Sequence, residues 1–591
     1  MIRKSFAILG VMFSAAFILP SAPFAESTDR SWIDISNSYT NQLLTVVMKH
    51  NPETGSYQGL SEYDALASQP TLADEDAERA ETEAVLGKVK AAAAQPQQKE
   101  VAQDLQIIIR RVELNFKEQD FQRAHEVSFL NASSTVFGGL RILLDEQTPA
   151  ERRPAAVSRL RKYAGLETGY RPIAEILKER AQEQMAKPGV FYPSRTEIET
   201  ELARNNNYLE GIAALFEKNK LTSWQEPYAT LKTQLTDYDA WMRANVLPKA
   251  RSDFRLPPEE YAIELESFGI DIPPDQVAAM AHQAFDEIVA EMKPIAAQIA
   301  QQRHLQSSDY RDVMRELKKQ QLVGEAILPF YQERLKQIEQ IIVAHQIVTL
   351  PDRPARIRIA SAAETSQQPA PHMQPPPFVH NTGQKGEFIL PLNIPAGPGQ
   401  AAALKYDDFT FDAAAWTLTA HEARPGHELQ FDSMLEHGVS LARVRYAFNS
   451  TNVEGWGLYS EYLIKPYMPL EGQLVSLDYR LLRAARAFLD PELQSGKIKP
   501  EDAYRVLEQD VVCSHAMAEQ EVERYTYRAP GQANSYFYGY TKLIALRKDT
   551  ESALGPKFNQ QKYHDFLLAQ GLLPPDLLRK AVMEDFVPAQ K

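Results

Sequence analysis

Between about Ser31 and His345, apolar residues recur at steps of three and four among Ala, Glu, Gln, Lys and polar positions. That spacing marks one face of a helix. Within Ala326–Val348 the pattern is explicit in Leu335, Ile338, Ile342 and His345. The stretch therefore predicts many antiparallel helices joined by short loops, with breaks at Leu247-Pro248 and Leu256-Pro257-Pro258. No internal repeat is visible. His345, alone on its apolar face, reads as a packing or surface histidine rather than a ligand.

Residues 351–400 break the pattern. Ten of the chain's 38 prolines fall here, including Pro375-Pro376-Pro377, and helix cannot run through them. Arg356-Ile357-Arg358-Ile359 alternates with period two, and Phe388-Ile389-Leu390-Pro391-Leu392-Asn393 looks extended, its proline suggesting an edge strand. Two readings stand: a loop joining two helical halves, or a small sheet whose open edge pairs with an extended peptide. After Ala401 the helical pattern returns, with Thr410 and Asp412 as candidate caps of a helix through Trp416 and Ala420. The expected fold is mainly α, a large multi-helix fold with a small β segment near 355–395. Its expected parts are a helical region over 26–350, the proline-rich segment 351–405 and a C-terminal helical catalytic region 406–591, with 26–591 forming one compact unit.

Composition adds limits. The chain has 591 residues, 44% hydrophobic and 24% charged, values of a globular protein and not of a disordered one. Its net charge is −14 and no basic block occurs, which argues against nucleic acid as a partner. Arg3 and Lys4, the apolar run Ser5–Leu19 and the small residues before Glu26 read as a signal peptide over residues 1–25. The run is short for a bilayer span of about 20 residues, so no stable membrane insertion is expected after cleavage. No cysteine follows it to carry a lipid. The expected location is periplasmic or secreted. Cys513 is the single cysteine, so neither an internal disulfide nor a cysteine-based zinc site is available.

The chemistry concentrates in His421-Glu422-Ala423-Arg424-Pro425-Gly426-His427. Zinc peptidases of the H-E-x-x-H type place two histidines four apart on one helical face, with the glutamate as general base. Here the step is six. On an unbroken helix six residues turn about 600° and rise about 9 Å, so both rings could not reach one ion. Pro425 and Gly426 supply the break that would bring His427 back toward His421. The pair alone is a weak signal, since His125-Glu126 stands elsewhere with no histidine at either spacing. A third ligand is available in Glu454, on a helix reading Asn452-Val453-Glu454-Gly455-Trp456-Gly457-Leu458-Tyr459-Ser460-Glu461. Its two glycines cost about 1 kcal/mol each in a helix and suggest that another backbone passes close by. Glu461, seven residues beyond Glu454, shares its face. Downstream, His515, Glu519 and Glu523 share one helical face, and Arg524, Tyr525, Tyr536, Tyr538 and Tyr540 follow. An ordinary helix pair explains His515 with Glu519 better than a second metal site. Arg524 reads equally as an oxyanion ligand or as an ion-pair partner of Glu521.

These motifs together resemble the bacterial family catalogued as domain of unknown function 885. The resemblance rests on His421-Glu422-Ala423-x-Pro425-Gly426-His427-x-Leu429-Gln430 and Glu454-Gly455-Trp456-x-Leu458-Tyr459-x-Glu461, then Glu521-Val522-x-Arg524-Tyr525 and Pro530-Gly531-Gln532-Ala533-x-Ser535-Tyr536. They span about 120 residues in order. The family is similar to helical zinc metallopeptidases of the gluzincin type, the thimet-type oligopeptidases and thermostable carboxypeptidases. That similarity implies a helical fold around a deep channel or cleft, with one Zn2+ on His421, His427 and Glu454 and Glu422 as general base. It also implies Tyr536, first, or Arg524 beside the oxyanion, and short peptides as substrates. The chain departs from the pattern at Asp490-Pro491-Glu492-Leu493-Gln494, where the family often carries a histidine. Two other classes fit the same residues: a peptide-binding protein whose metal site is structural or lost, and a metal-dependent hydrolase of non-peptide amides.

Overall fold

In the computed structural model, residues 31–394, 404–405 and 407–591 are described, and nearly all regular structure is helical. The expected signal peptide at 1–25 lies outside the described residues. The long helix Leu470–Gln494 runs through the middle of the C-terminal half and is buried on every side for most of its length. It shares a core with the helix Pro274–Arg303, which offers Val277, Ala281, Ile288, Met292 and Ile299 along one stripe and stacks His282 on Phe488. Each large aliphatic side chain buried there contributes about 1.5–3 kcal/mol. Among the described residues no helix is long and apolar enough to cross a membrane.

The N-terminal helices are tied to the C-terminal half by buried polar pairs as well as by packing. Asp104, in the helix Lys99–His125, accepts from Arg443 Nε at 2.9 Å and from Ser36 Oγ at 2.6 Å. Both carboxylate oxygens are thereby satisfied, which a buried acid requires.

The proline-rich segment forms the small sheet. Strands β1 (Arg356–Ile359), β2 (His372–Gln374) and β3 (Glu387–Leu390) lie in the order β1-β3-β2, with β1 parallel and β2 antiparallel to β3. The last of these strands is central and wholly buried, not an edge strand. Pro391 lies just past its end, so it removes no ladder hydrogen bond. A second pair, β4 (Asn393–Ile394) and β5 (Leu404–Lys405), is antiparallel.

Two smaller expectations are corrected. His345 is exposed just past the helix Ile327–Ala344 and stacks on Tyr467 with ring centroids 4.0 Å apart, so it is not on the core face. Neither Thr410 nor Asp412 caps the helix Asp412–Leu418; Phe411 stands at its N-cap, Thr410 bonds Gln321, and Asp412 pairs with Arg334.

Candidate metal centre

The helix Asp412–Leu418 does not run on through the histidine motif. It passes into a wider π-helical turn over Thr419–Ala423, Arg424 is extended at φ −125°, ψ 135°, and the Arg424-Pro425 peptide is cis. A new helix then starts at His427. Gly426 is essential to the reversal on steric grounds. A Cβ there would lie 1.8 Å from the carbonyl oxygen of His421 and 2.5 Å from that of Ala420. The six-residue step thus spans a chain reversal and not a helical rise, and the two imidazoles meet edge-on with centroids 4.7 Å apart.

One helix, Ser450–Ile464, holds this arrangement together, starting from an Asn449 side chain that caps the backbone N–H of Asn452. Glu454 brings Oε2 to 3.5 Å from His421 Nε2 and 3.4 Å from His427 Nε2. Trp456 Nε1 donates to the carbonyls of Pro425 and Gly426 at 2.9 and 3.3 Å, fastening the break. Gly457 makes room for the imidazole of His421, because a Cβ would stand 2.4–2.8 Å from three ring atoms. Glu461 Oε1 accepts from His421 Nδ1 at 2.7 Å, leaving Nε2 free to act as a ligand. Arg483 pairs with the same Glu461 oxygen at 3.3 Å. The expectation of close backbone approach holds at Gly455, whose missing Cβ admits the backbone of Gly539 in the helix Asn534–Leu554. At Gly457 the close neighbour is instead a side chain, that of His421.

The donor set suits a tetrahedral ion. Two ligand atoms each about 2.05 Å from zinc, at a tetrahedral angle, lie about 3.3 Å from each other. The two nitrogen–oxygen separations are 3.4 and 3.5 Å, and all three donor atoms lie within 4.8 Å of one another. Two imidazoles and one carboxylate are a ligand set zinc accepts. Among the described residues this is the one group of three such side chains that could hold a metal. Burial works against charge on Glu454, yet the hydrogen bonds from His421 and His427 hold its carboxyl well below its ordinary range.

Glu422 is buried beside this set, and burial pushes its carboxyl up to about 8, with His427 working against that and Glu454 with it. Its Oε2 has no hydrogen-bond partner among the described residues. Tyr536 lies nearly parallel to the His421 ring, centroids 6.3 Å apart, and burial keeps its hydroxyl protonated. Arg524 Nη1 donates to the Tyr536 hydroxyl at 3.2 Å, and its other amino group stands 3.7 Å from Glu521. The ion-pair reading of Arg524 with Glu521 is thus present, and the same guanidinium also reaches Tyr536. All six candidate residues are brought together at one place. His421, Glu422, Tyr536 and Arg524 line a single cavity against the central helix.

The other candidates lie apart. His515 is exposed and meets Glu508 at 2.6 Å, whereas Glu523 pairs with Arg204 at 2.9 Å. Tyr525 donates to Glu521, Tyr538 to Asp271, and Tyr540 accepts from Arg480. The segment Asp490–Gln494 is structural. The Asp490 carboxylate accepts from the backbone of Gly531 and from Tyr261, and Gln494 bonds the carbonyl of Tyr525. Sequence reasoning did not single out Arg483 or Arg486. Arg486 lies over the Tyr536 ring, its carbon 4.5 Å from the centroid, and forks onto Glu521 at 2.6 and 2.7 Å. Arginines at three-residue spacing on a largely buried helix were the available signal.

The fold and site define a mainly helical protein with a buried two-histidine, one-glutamate group open to a cavity. The chain belongs to the family described as bacterial protein of unknown function (DUF885), whose model matches residues 52–582. Its fold is shared by two solved proteins. One, described as "the putative lipoprotein from Colwellia psychrerythraea", has a TM-score of 0.76 at 18% identity, covering 95% of this chain and 100% of that one. The other, "a putative lipoprotein of unknown function from Shewanella oneidensis", has a TM-score of 0.66 at 17% identity, covering 94% and 100%. No curated protein matches the chain.

Proposed function

We propose that this chain is an exported zinc-dependent metallopeptidase that hydrolyses short peptides, with the zinc held by His421, His427 and Glu454. The observation that carries the reading is the donor geometry, with separations of 3.4 and 3.5 Å where a tetrahedral zinc site needs about 3.3 Å. A zinc ion in this set supplies a Lewis acid for the substrate carbonyl and an acidified water. Glu422, buried and with Oε2 unpartnered, would take the proton of the attacking water once a cation in the site offsets the burial that raises its carboxyl, and would deliver it to the leaving amine. Tyr536 donates its hydroxyl proton to the oxygen that gains negative charge, and Arg524, bonded to that hydroxyl, strengthens it as a donor. Glu461 holds the His421 ring in place. The likeness to gluzincin peptidases rests on the motifs, and export on the N-terminal sequence pattern.

Metal content and turnover test this together. Purified protein is expected to carry about one zinc per chain, as a single three-ligand site would. Chelation is expected to abolish cleavage of short peptides, and zinc to restore it. Full peptide turnover in metal-free protein would contradict the proposal, and so would zinc-loaded protein that cleaves acylated small amines but no peptide.

A further inference from the structure

The cavity beside the metal centre continues along the central helix. Asp478, Tyr479, Leu482, Arg483 and Arg486 all line it, at the spacing of one helical face. Arg483 and Arg486 stand at the metal end, through Glu461 and Tyr536. Asp478 lies five residues before Arg483, or about 7.5 Å along the helix. Met314, Phe409, Leu418, Leu482, Val511 and Met517 give the lining its apolar part, with Lys318 and Asp408 beside Asp478 as its polar part.

Asp478 is the anomaly in this cavity. It is only 4% exposed, and its Oδ1 has no hydrogen-bond partner among the described residues. Most nearby charges are already engaged, although Arg483 Nε has no hydrogen-bond partner among the described residues. Lys318 spends its three hydrogens on Asp408 at 2.7 Å, Asp407 at 3.1 Å and the Val512 carbonyl at 2.6 Å. Asp408 also accepts from the backbone and hydroxyl of Ser514. Arg483 is paired with Glu461, and the Cys513 thiol is pushed well above its ordinary value by burial, so it carries no charge. Three aspartates stand near one lysine; Asp408, Asp478 and Lys318 all border the cavity, and of these Asp478 is the one with an oxygen left unpartnered among the described residues. Burying a carboxyl without a partner costs stability, which a ligand that supplies the missing donor recovers.

We infer that the Asp478 end of this cavity is a substrate subsite for an aliphatic side chain ending in an ammonium group, as in lysine. The apolar walls take the four-carbon stem, and the carboxylate of Asp478 takes the charged head. In the empty cavity burial pushes Asp478 up to about 8, so the acid waits largely protonated and ionises when the cation arrives. The inference rests on the metallopeptidase reading for the bond that is cut, but the subsite is testable by binding alone.

The probes are N-acetyl-lysinamide and its neutral counterpart N-acetyl-norleucinamide, titrated calorimetrically into the full chain with and without chelator. Wild type is expected to bind the lysine probe about tenfold or more tightly than the norleucine probe, the ratio a charge-assisted hydrogen bond gives. Asp478→Asn is expected to erase that preference while zinc content stays unchanged. Equal binding of the two probes by wild type, or no binding of either, overturns the subsite whatever becomes of the variant. A well-folded Asp478→Asn protein that keeps the preference overturns it too. Preference in a protein found to hold no zinc would retain the subsite and sink the metal reading. Zinc-dependent turnover without preference would do the reverse.

Discussion

Two carboxyls at the site have different expected roles, and substitution can tell them apart. Glu422 and Glu454 are both buried carboxyls near the same two histidines, but only Glu454 has an oxygen at ligand distance from both imidazoles. Glu422→Gln keeps size and hydrogen bonding but cannot take a proton. Its peptide turnover is expected to fall by 10²–10⁴, as loss of a general base typically does, with zinc content near wild type. Glu454→Gln is expected instead to lose zinc, because an anionic ligand is gone. Zinc analysis beside turnover on both variants decides it; a zinc-free Glu422→Gln with a zinc-loaded, merely slow Glu454→Gln would exchange the roles. Glu428, which follows the second histidine of the motif, is already engaged. Both its oxygens accept from Arg424, at 2.7 and 3.1 Å.

At the scale of elements, the break between the two histidines is a device held from several sides. Arg424 is bonded to Glu428, Glu339 and the carbonyl of Arg353, Trp456 fastens Pro425 and Gly426, and Gly426 leaves no room for a Cβ. Gly426→Ala is therefore expected to push His427 away from His421 and weaken zinc binding by about 10-fold or more, although no ligand is removed. A competition titration against a zinc chelator measures this, and unchanged affinity would mean the reversal tolerates a side chain. Much of this element was legible in the sequence, because proline and glycine inside a six-residue histidine step leave few other meanings. The acid that joins the two histidines was legible too, through Glu454 and the costly glycines beside it. What could not be read was which neighbour each glycine admits: a backbone at Gly455, an imidazole at Gly457. The same holds for Glu461 and Arg483, whose roles arise from contacts 40 and 22 residues distant along the chain. Strand order was out of reach for a similar reason. Pro391 suggested an edge, but pairing on both sides of Glu387–Leu390 is decided by segments the local pattern does not name.

For the molecule as a whole, buried polar groups make stability depend on pH. His564 is fully buried, with Nδ1 donating to the Ile347 carbonyl at 2.6 Å and Nε2 accepting from the Tyr459 hydroxyl at 2.8 Å. Burial lowers its pKa to about 3, since a second ring proton would strand that hydroxyl. The unfolded chain takes up this proton near pH 6.5, whereas the folded chain resists it until about 3. The stabilisation is thus complete above pH 6.5 and is lost as pH falls toward 3. Between pH 7 and 5 this one residue is expected to cost about 2 kcal/mol. Urea unfolding at both pH values should show a correspondingly shallower loss in His564→Gln; equal losses would contradict the assignment. The central claim, however, is the metal itself. X-ray diffraction from crystals of the intact protein, recorded on both sides of the zinc absorption edge, locates any zinc directly. The account predicts one anomalous peak per chain, about 2.0–2.2 Å from His421 Nε2, His427 Nε2 and Glu454 Oε2, as zinc ligation requires. A zinc-supplemented crystal with no peak there, or with its peak elsewhere, would contradict it.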